Sequence, residues 1–150
     1  MIKNVLVAVD GSKNTAKVLD FALDLTERYG ATMTILNVSS SLGAMGTVPQ
    51  EPVFETTGNV ATFAKDMWSI HEATLKKFAT QSKAAKPNLK ISTMLRQGVV
   101  AIEIVKTAVE GGFDVIVLGH KESGKIREMV IGSTTERVIH SATCSVIIVK

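Results

Sequence analysis

Five short apolar runs punctuate the chain: NVLVAV at 4–9, TMTILNV at 32–38, KISTML at 90–95, DVIVLG at 114–119 and SVIIV at 145–149. Most of them do not alternate apolar with polar residues as a strand with one wet face does. A continuous apolar run of this length reads as a strand covered on both faces, the habit of parallel sheets. Between the runs the apolar period changes to that of helices. Leu19, Ala22, Leu23 and Thr26 recur at helical spacing, and Ala101, Ile104, Val105 and Ala108 follow i, i+3, i+4, i+7. Five strands alternating with four helices predict an α/β fold: a doubly wound, Rossmann-like, five-stranded parallel sheet in the order 3-2-1-4-5, with helices on both faces.

Turn chemistry sets the boundaries. Asp10-Gly11-Ser12 breaks the first run, with Ser12 or Asn14 expected to cap the next helix, and Gly30 stands where a helix closes. Ser39 to Gly58, rich in Ser, Gly and Pro, reads as one long loop, either a lid or a bland excursion. The longest helix is expected from Asn59 to about Ala85, with Phe63, Met67, Ile70 and Phe78 on its core stripe. Pro87-Asn88 ends it, Gly111-Gly112 ends the third helix, and the fourth covers about Ser133 to His140. With 150 residues, 45% of them hydrophobic, and no internal repeat, one domain spanning 1–150 is expected.

Charge and cysteine content narrow the function classes. The net charge of +3 is the sum of interspersed signs, and aromatics make up only 5% of the chain, so neither the basic stripe nor the stacking platforms of a nucleic-acid binder are present. Cys144 is the only cysteine, which rules out an intrachain disulfide and suits a reducing compartment. The opening lacks the pattern of a signal peptide, and no run approaches the ~18 apolar residues of a membrane span. A soluble, cytoplasmic protein is expected.

Gly119 to Lys125 reads G-x-x-x-x-G-K directly after a strand, most of a Walker phosphate loop. Ile126, however, stands where the magnesium-binding hydroxyl belongs, and the one later strand, VIIVK, has no Asp for the metal. In a doubly wound sheet the ligand crevice lies beyond the carboxyl ends of the strands where their order reverses. Here that point lies between Asp10-Gly11 and Gly119.

VLVAVDGS near the start, RQGVVAIEIVKTAVEGGFDVIVLG in the second half and GSTTERVIHSATCSVIIVK at the end resemble the universal stress protein family over essentially the whole chain. The resemblance implies the five-stranded α/β fold and an adenine-nucleotide site, for ATP or AMP with Mg²⁺ as an accompanying ion. Members that bind ATP carry G-x-x-G, nine residues, then G-S or G-T. Gly119 matches the first glycine, with Leu118, His120 and Lys121 around it, and Gly132-Ser133 followed by Thr134 matches the last element in register. Glycines admit phosphate to backbone N–H groups, and a helix N-terminus favours its charge. The second glycine is replaced by Glu122, with Gly124 two residues out of register; Lys121, Lys125 or Arg127 could offset its charge. The nucleoside end maps by resemblance onto Ala8, Val9, Asp10 near the ribose, and Val38. The family also implies a homodimer through the last strand, Ser145 to Val149, and an unidentified protein partner.

From the residues themselves, alternatives stay open. Asp10 could cap its own turn, Ser133 could be a plain N-cap, and Gly119 a strand-end turn. Glu122 admits a second reading, a dimeric interaction module without nucleotide. His71, His120 and His140 are isolated, and neither H-E-x-x-H nor G-x-S-x-G occurs. No acid, base and nucleophile set is constituted, leaving at most slow ATP hydrolysis. A flavin carrier would need aromatics at the strand ends, where neither Trp68 nor Tyr29 lies.

Overall fold

The structure, a computed structural model, describes residues 1–40, 57–120 and 132–150, with side chains from residue 62 onward in the second segment. The predicted elements form in order: β1 (Asn4–Ala8), α1 (Thr15–Tyr29), β2 (Thr32–Ser39), α2 (Thr57–Ala85), β3 (Lys90–Gln97), α3 (Val100–Glu110), β4 (Val115–Gly119), α4 (Ser133–Ser141) and β5 (Ser145–Val149). The strands build one parallel sheet in the order β3-β2-β1-β4-β5. The two central neighbours β1 and β4 are the most apolar. Val5, Leu6 and Val7 pair with Val115, Ile116 and Val117, all fully buried.

Alternating side chains feed two cores. Val5, Val7, Met33, Ile35, Val115 and Val117 face one way, onto Val18, Leu19, Ala22 and Leu23 of α1 and Leu75 and Ala79 of α2. Leu6, Leu36, Ile116 and Leu118 face the other, onto Ala101, Ile104 and Ala108 of α3 and Val138 of α4. The second layer stops short of the β2–β3 margin. There the strands carry hydroxyls instead, and Thr34 and Ser92 share a 2.8 Å hydrogen bond. Among the glycines whose positive φ a side chain would strain are Gly11 after β1 (φ 77°) and Gly30 closing α1 (φ 60°).

Four details differ from expectation. β2 runs one residue further than Val38, into buried Ser39, whose carbonyl accepts from the Gly98 N–H at 3.0 Å. The body of the expected 39–58 loop lies outside the described residues, and α2 begins at Thr57. The stripe of α2 holds only in part: Phe78 packs against the core beside buried Leu75 and Ala79 and Met67 is half-buried, but Phe63 and Ile70 are 52% and 58% exposed. A 29-residue helix overhangs a small sheet, so apolar residues in its first half do not all reach the core. Finally, Asn14 stands at the N-cap position of α1 but its side chain makes no capping bond.

Candidate functional site

The carboxyl ends of β1 and β4 part at the strand-order reversal, where β1 continues to α1 on one face of the sheet and β4 leads toward α4 on the other. A cavity of about 470 Å³ opens there. Leu36, Leu118, Val18, Val100 and Ile104 give it apolar walls. Asp10, Ser12, Lys13, Asn14, His120 and Thr134 give it a polar mouth, and buried Thr135 lines it further in. The first turns of α1, α3 and α4 all border it, so partial positive charge converges on the opening.

Of the residues expected at a site, Ala8, Val9, Asp10, Val38, Leu118, Gly119, His120 and Thr134 line this one cavity. Gly132 and Ser133 adjoin it but do not line it. Gly132 is the N-cap of α4, in extended conformation, and Ser133 is the first helical residue, which corrects its reading as an N-cap. Lys121, together with Glu122, Gly124, Lys125 and Arg127, lies outside the described residues.

Asp10 has a local role: its Oδ1 accepts the Ser12 N–H at 2.9 Å and the Thr15 hydroxyl at 3.4 Å, so it caps its own turn, as one of its two readings held. No bond to Oδ2 occurs among the described residues, and the side chain is exposed at the mouth. Freed from capping, Asn14 turns inward and donates from Nδ2 to the carbonyls of His120 and Val149, each at 3.3 Å. The Val149 carbonyl also accepts the His120 N–H at 2.8 Å. Asn14 thereby ties the start of α1 to the ends of β4 and β5. Gly119 permits this approach, because a Cβ there would stand 3.0 Å from Val18 Cγ2 and 3.3 Å from Asn14 Nδ2.

On the β2 side the ladder ends in an unusual way. The Val9 N–H donates to the Leu36 carbonyl at 2.9 Å, one step beyond the last β1–β2 pair. The next ladder partner of the Val9 carbonyl is the Val38 N–H, but that carbonyl accepts Asn37 Nδ2 instead, at 2.9 Å. Asn37 is 1% exposed, and its Oδ1 meets His71 Nδ1 of α2 at 2.5 Å. A carbonyl can only accept, so Val9 fixes Nδ2 toward itself and Oδ1 toward the ring, and His71 carries its proton on Nδ1. Sequence reading missed Asn37 and His71. The only signal for the first was an amide between Leu36 and Val38, in the apolar half of the strand.

Among the described residues, Lys13 is the one permanent cation at the cavity and Asp10 the one carboxylate. No group of three or more His, Cys, Asp or Glu suited to a metal occurs among the described residues. No described helix is long and apolar enough to cross a membrane. The resolved charge perturbations lie elsewhere. Burial pushes the Cys144 thiol up, and the backbone N–H groups of Lys3 and Asn4 hold the Asp114 carboxyl down.

The model of the universal stress protein family matches residues 1–150. The universal stress protein YxiE of Bacillus subtilis is 32% identical over 157 residues, covering all of both chains. Among solved structures, the universal stress protein UspA from Lactobacillus plantarum superposes with a TM-score of 0.81 at 21% identity, over 99% of this chain and 98% of its own. A universal stress protein in complex with cAMP gives 0.67 at 22% identity, over 99% and 96%. One from Archaeoglobus fulgidus in complex with dAMP gives 0.63 at 24%, over the whole of both chains. At these identities the structural likeness is one of fold.

Proposed function

This chain belongs to the universal stress protein family, and from that premise we propose that it is an adenine-nucleotide-binding stress-response regulator. It acts in the cytoplasm as a binding switch, with no turnover as part of its role. The observation that carries this reading is the cavity at the strand-order reversal, where eight of the residues expected at a nucleotide site converge. Its apolar depth suits a purine, its mouth holds Asp10, which the family resemblance puts near the ribose, and the helix starts suit phosphate. The relatives in complex with cAMP and dAMP support an adenine ligand. A Mg²⁺ ion in this reading enters with the phosphates, since Asp10 is the one carboxylate that the described lining offers it. Ligand occupancy shifts a population of conformers that an as yet unidentified protein partner distinguishes. The functional unit is a homodimer paired through Ser145–Val149, an apolar edge strand without charge.

Isothermal titration of ligand-stripped protein with ATP and AMP, with and without Mg²⁺, tests the ligand. Micromolar binding supports the reading, and a preference for AMP points to repulsion of the outer phosphates by Glu122. Absence of binding by either nucleotide refutes it. Glu122 itself favours a second reading, a dimeric interaction module without nucleotide, in which Glu122→Gly creates ATP binding where the wild type has none. Light scattering tests the dimer, and a monomer at high micromolar concentration would overturn it.

A further inference from the structure

We propose that Asn37, held by His71, is a positioning residue that keeps the backbone of Val38 open as a base-reading edge, selecting a 6-aminopurine over a 6-oxopurine. The inference rests on the nucleotide reading above and deepens it. Its first premise is the direction of the β2 backbone groups. The Leu36 carbonyl accepts from Val9, so Leu36 faces β1. The Ser39 carbonyl accepts from Gly98, so Ser39 faces β3. Peptide groups alternate sides along a strand, so Val38 turns its N–H and C=O the same way as Leu36, past the end of β1 and into the cavity that Val38 lines.

The second premise is what happens at Val9. An unmodified parallel ladder would take the Val38 N–H onto the Val9 carbonyl. Asn37 Nδ2 occupies that carbonyl, and no hydrogen bond to the Val38 N–H occurs among the described residues. A backbone N–H beside its own C=O on one edge presents a donor and an acceptor. Adenine answers with N1 as acceptor and its 6-amino group as donor. A 6-oxopurine presents the reverse pair, a protonated N1 and a carbonyl, and leaves both backbone groups facing like partners. The Asn37 amide cannot drift from this task without cost, because it is buried and its Oδ1 is engaged by His71 Nδ1.

The test has two readouts. Amide hydrogen exchange on the nucleotide-free protein is expected to show the Val38 amide exchanging faster than those of Leu36 and Ile35. In Asn37→Val the Val38 N–H is expected to close onto the freed Val9 carbonyl and become protected. Titration is expected to give the wild type an AMP over IMP preference of about tenfold, the worth of one or two neutral hydrogen bonds. In Asn37→Val this ratio is expected to fall to within about threefold. Should Asn37→Val fold poorly, His71→Phe, which leaves Asn37 in place without its anchor, is expected to move the ratio the same way by a smaller factor. A Val38 amide as protected as its strand neighbours in the wild type overturns the inference, as does an AMP to IMP ratio unchanged in both variants. A wild type that binds neither nucleotide overturns the base-reading claim together with the proposed function. The exchange result is independent of nucleotide and separates the two failures.

Discussion

Replacing His71 by Phe keeps an aromatic ring on α2 and deletes the Nδ1–H that reaches Asn37 Oδ1. The magnitude follows from where that oxygen lies. Asn37 is 1% exposed, between β1, β3 and α2, so water is not at hand to replace the lost donor. Leaving a buried acceptor unpartnered costs about 1 to 3 kcal/mol. His71 itself is half-buried, and the extra apolar surface of Phe offsets part of this, so a loss of about 1 to 2 kcal/mol is expected. For a chain of this length that lowers Tm by about 2 to 8 °C. Urea unfolding followed by circular dichroism gives the free energy, and a double-mutant cycle with Asn37→Val isolates the pair. With the acceptor already removed, His71→Phe should be nearly neutral. A His71→Phe protein within about 0.5 kcal/mol of wild type, or an equal loss in both backgrounds, refutes the bond as an energetic link. Nitrogen NMR at pH 8 adds a direct check, since the orientation imposed by the Val9 carbonyl requires the proton on Nδ1.

Gly30→Ala is expected to cost about 1 to 2 kcal/mol, through its φ of 60° alone, because an added Cβ meets nothing within 4 Å; a neutral result in chemical denaturation would count against the left-handed cap. Gly119→Ala is expected to cost about 1 to 3 kcal/mol, since its Cβ would press on Val18 and Asn14, and a crystal structure of the variant should show Asn14 displaced from the His120 and Val149 carbonyls. Asp114 Oδ2 accepts the N–H groups of Lys3 and Asn4 at 2.7 and 2.9 Å, which holds its carboxyl below the usual range. A depressed folded value contributes stability present above the unfolded carboxylate pKa and lost as pH falls through the folded one. Acid unfolding of Asp114→Asn should therefore be flatter over that window than wild type, and an identical acid limb would remove Asp114 from the account.

The order of elements was legible because burial on both faces leaves a nearly continuous apolar run, and each of the five runs became a strand. The crevice was legible for the same reason, since topology alone puts Asp10 and Gly119 at one point. The polar wiring was not. Ser12 and Asn14 looked like caps because caps are local, whereas Asn14 answers to carbonyls 106 and 135 residues away in sequence. Phe63 and Ile70 looked like core because periodicity marks a helical face without saying how far the partner layer extends. Asn37 sat near the end of a run read as a buried strand, and only the break in the ladder shows its use.

The sheet's two edges give the proposed dimer a physical direction. β3 carries Lys90 and Arg96, the latter engaged with Glu110 of α3 at 3.3 Å, and charged side chains on an edge discourage pairing with another chain. β5, SVIIV, carries none. Its inner partner relations are also settled: Val149 accepts from His120 and so faces β4, which by alternation turns the N–H and C=O of Ile148 and Val146 outward. An uncharged edge with its hydrogen-bonding groups aligned outward is a hazard in a monomer and a template in a dimer. The same Val149 carbonyl is held by Asn14 at the lip of the cavity. In the proposed dimer a partner strand on β5 would thus lie one residue from a contact that shapes the crevice.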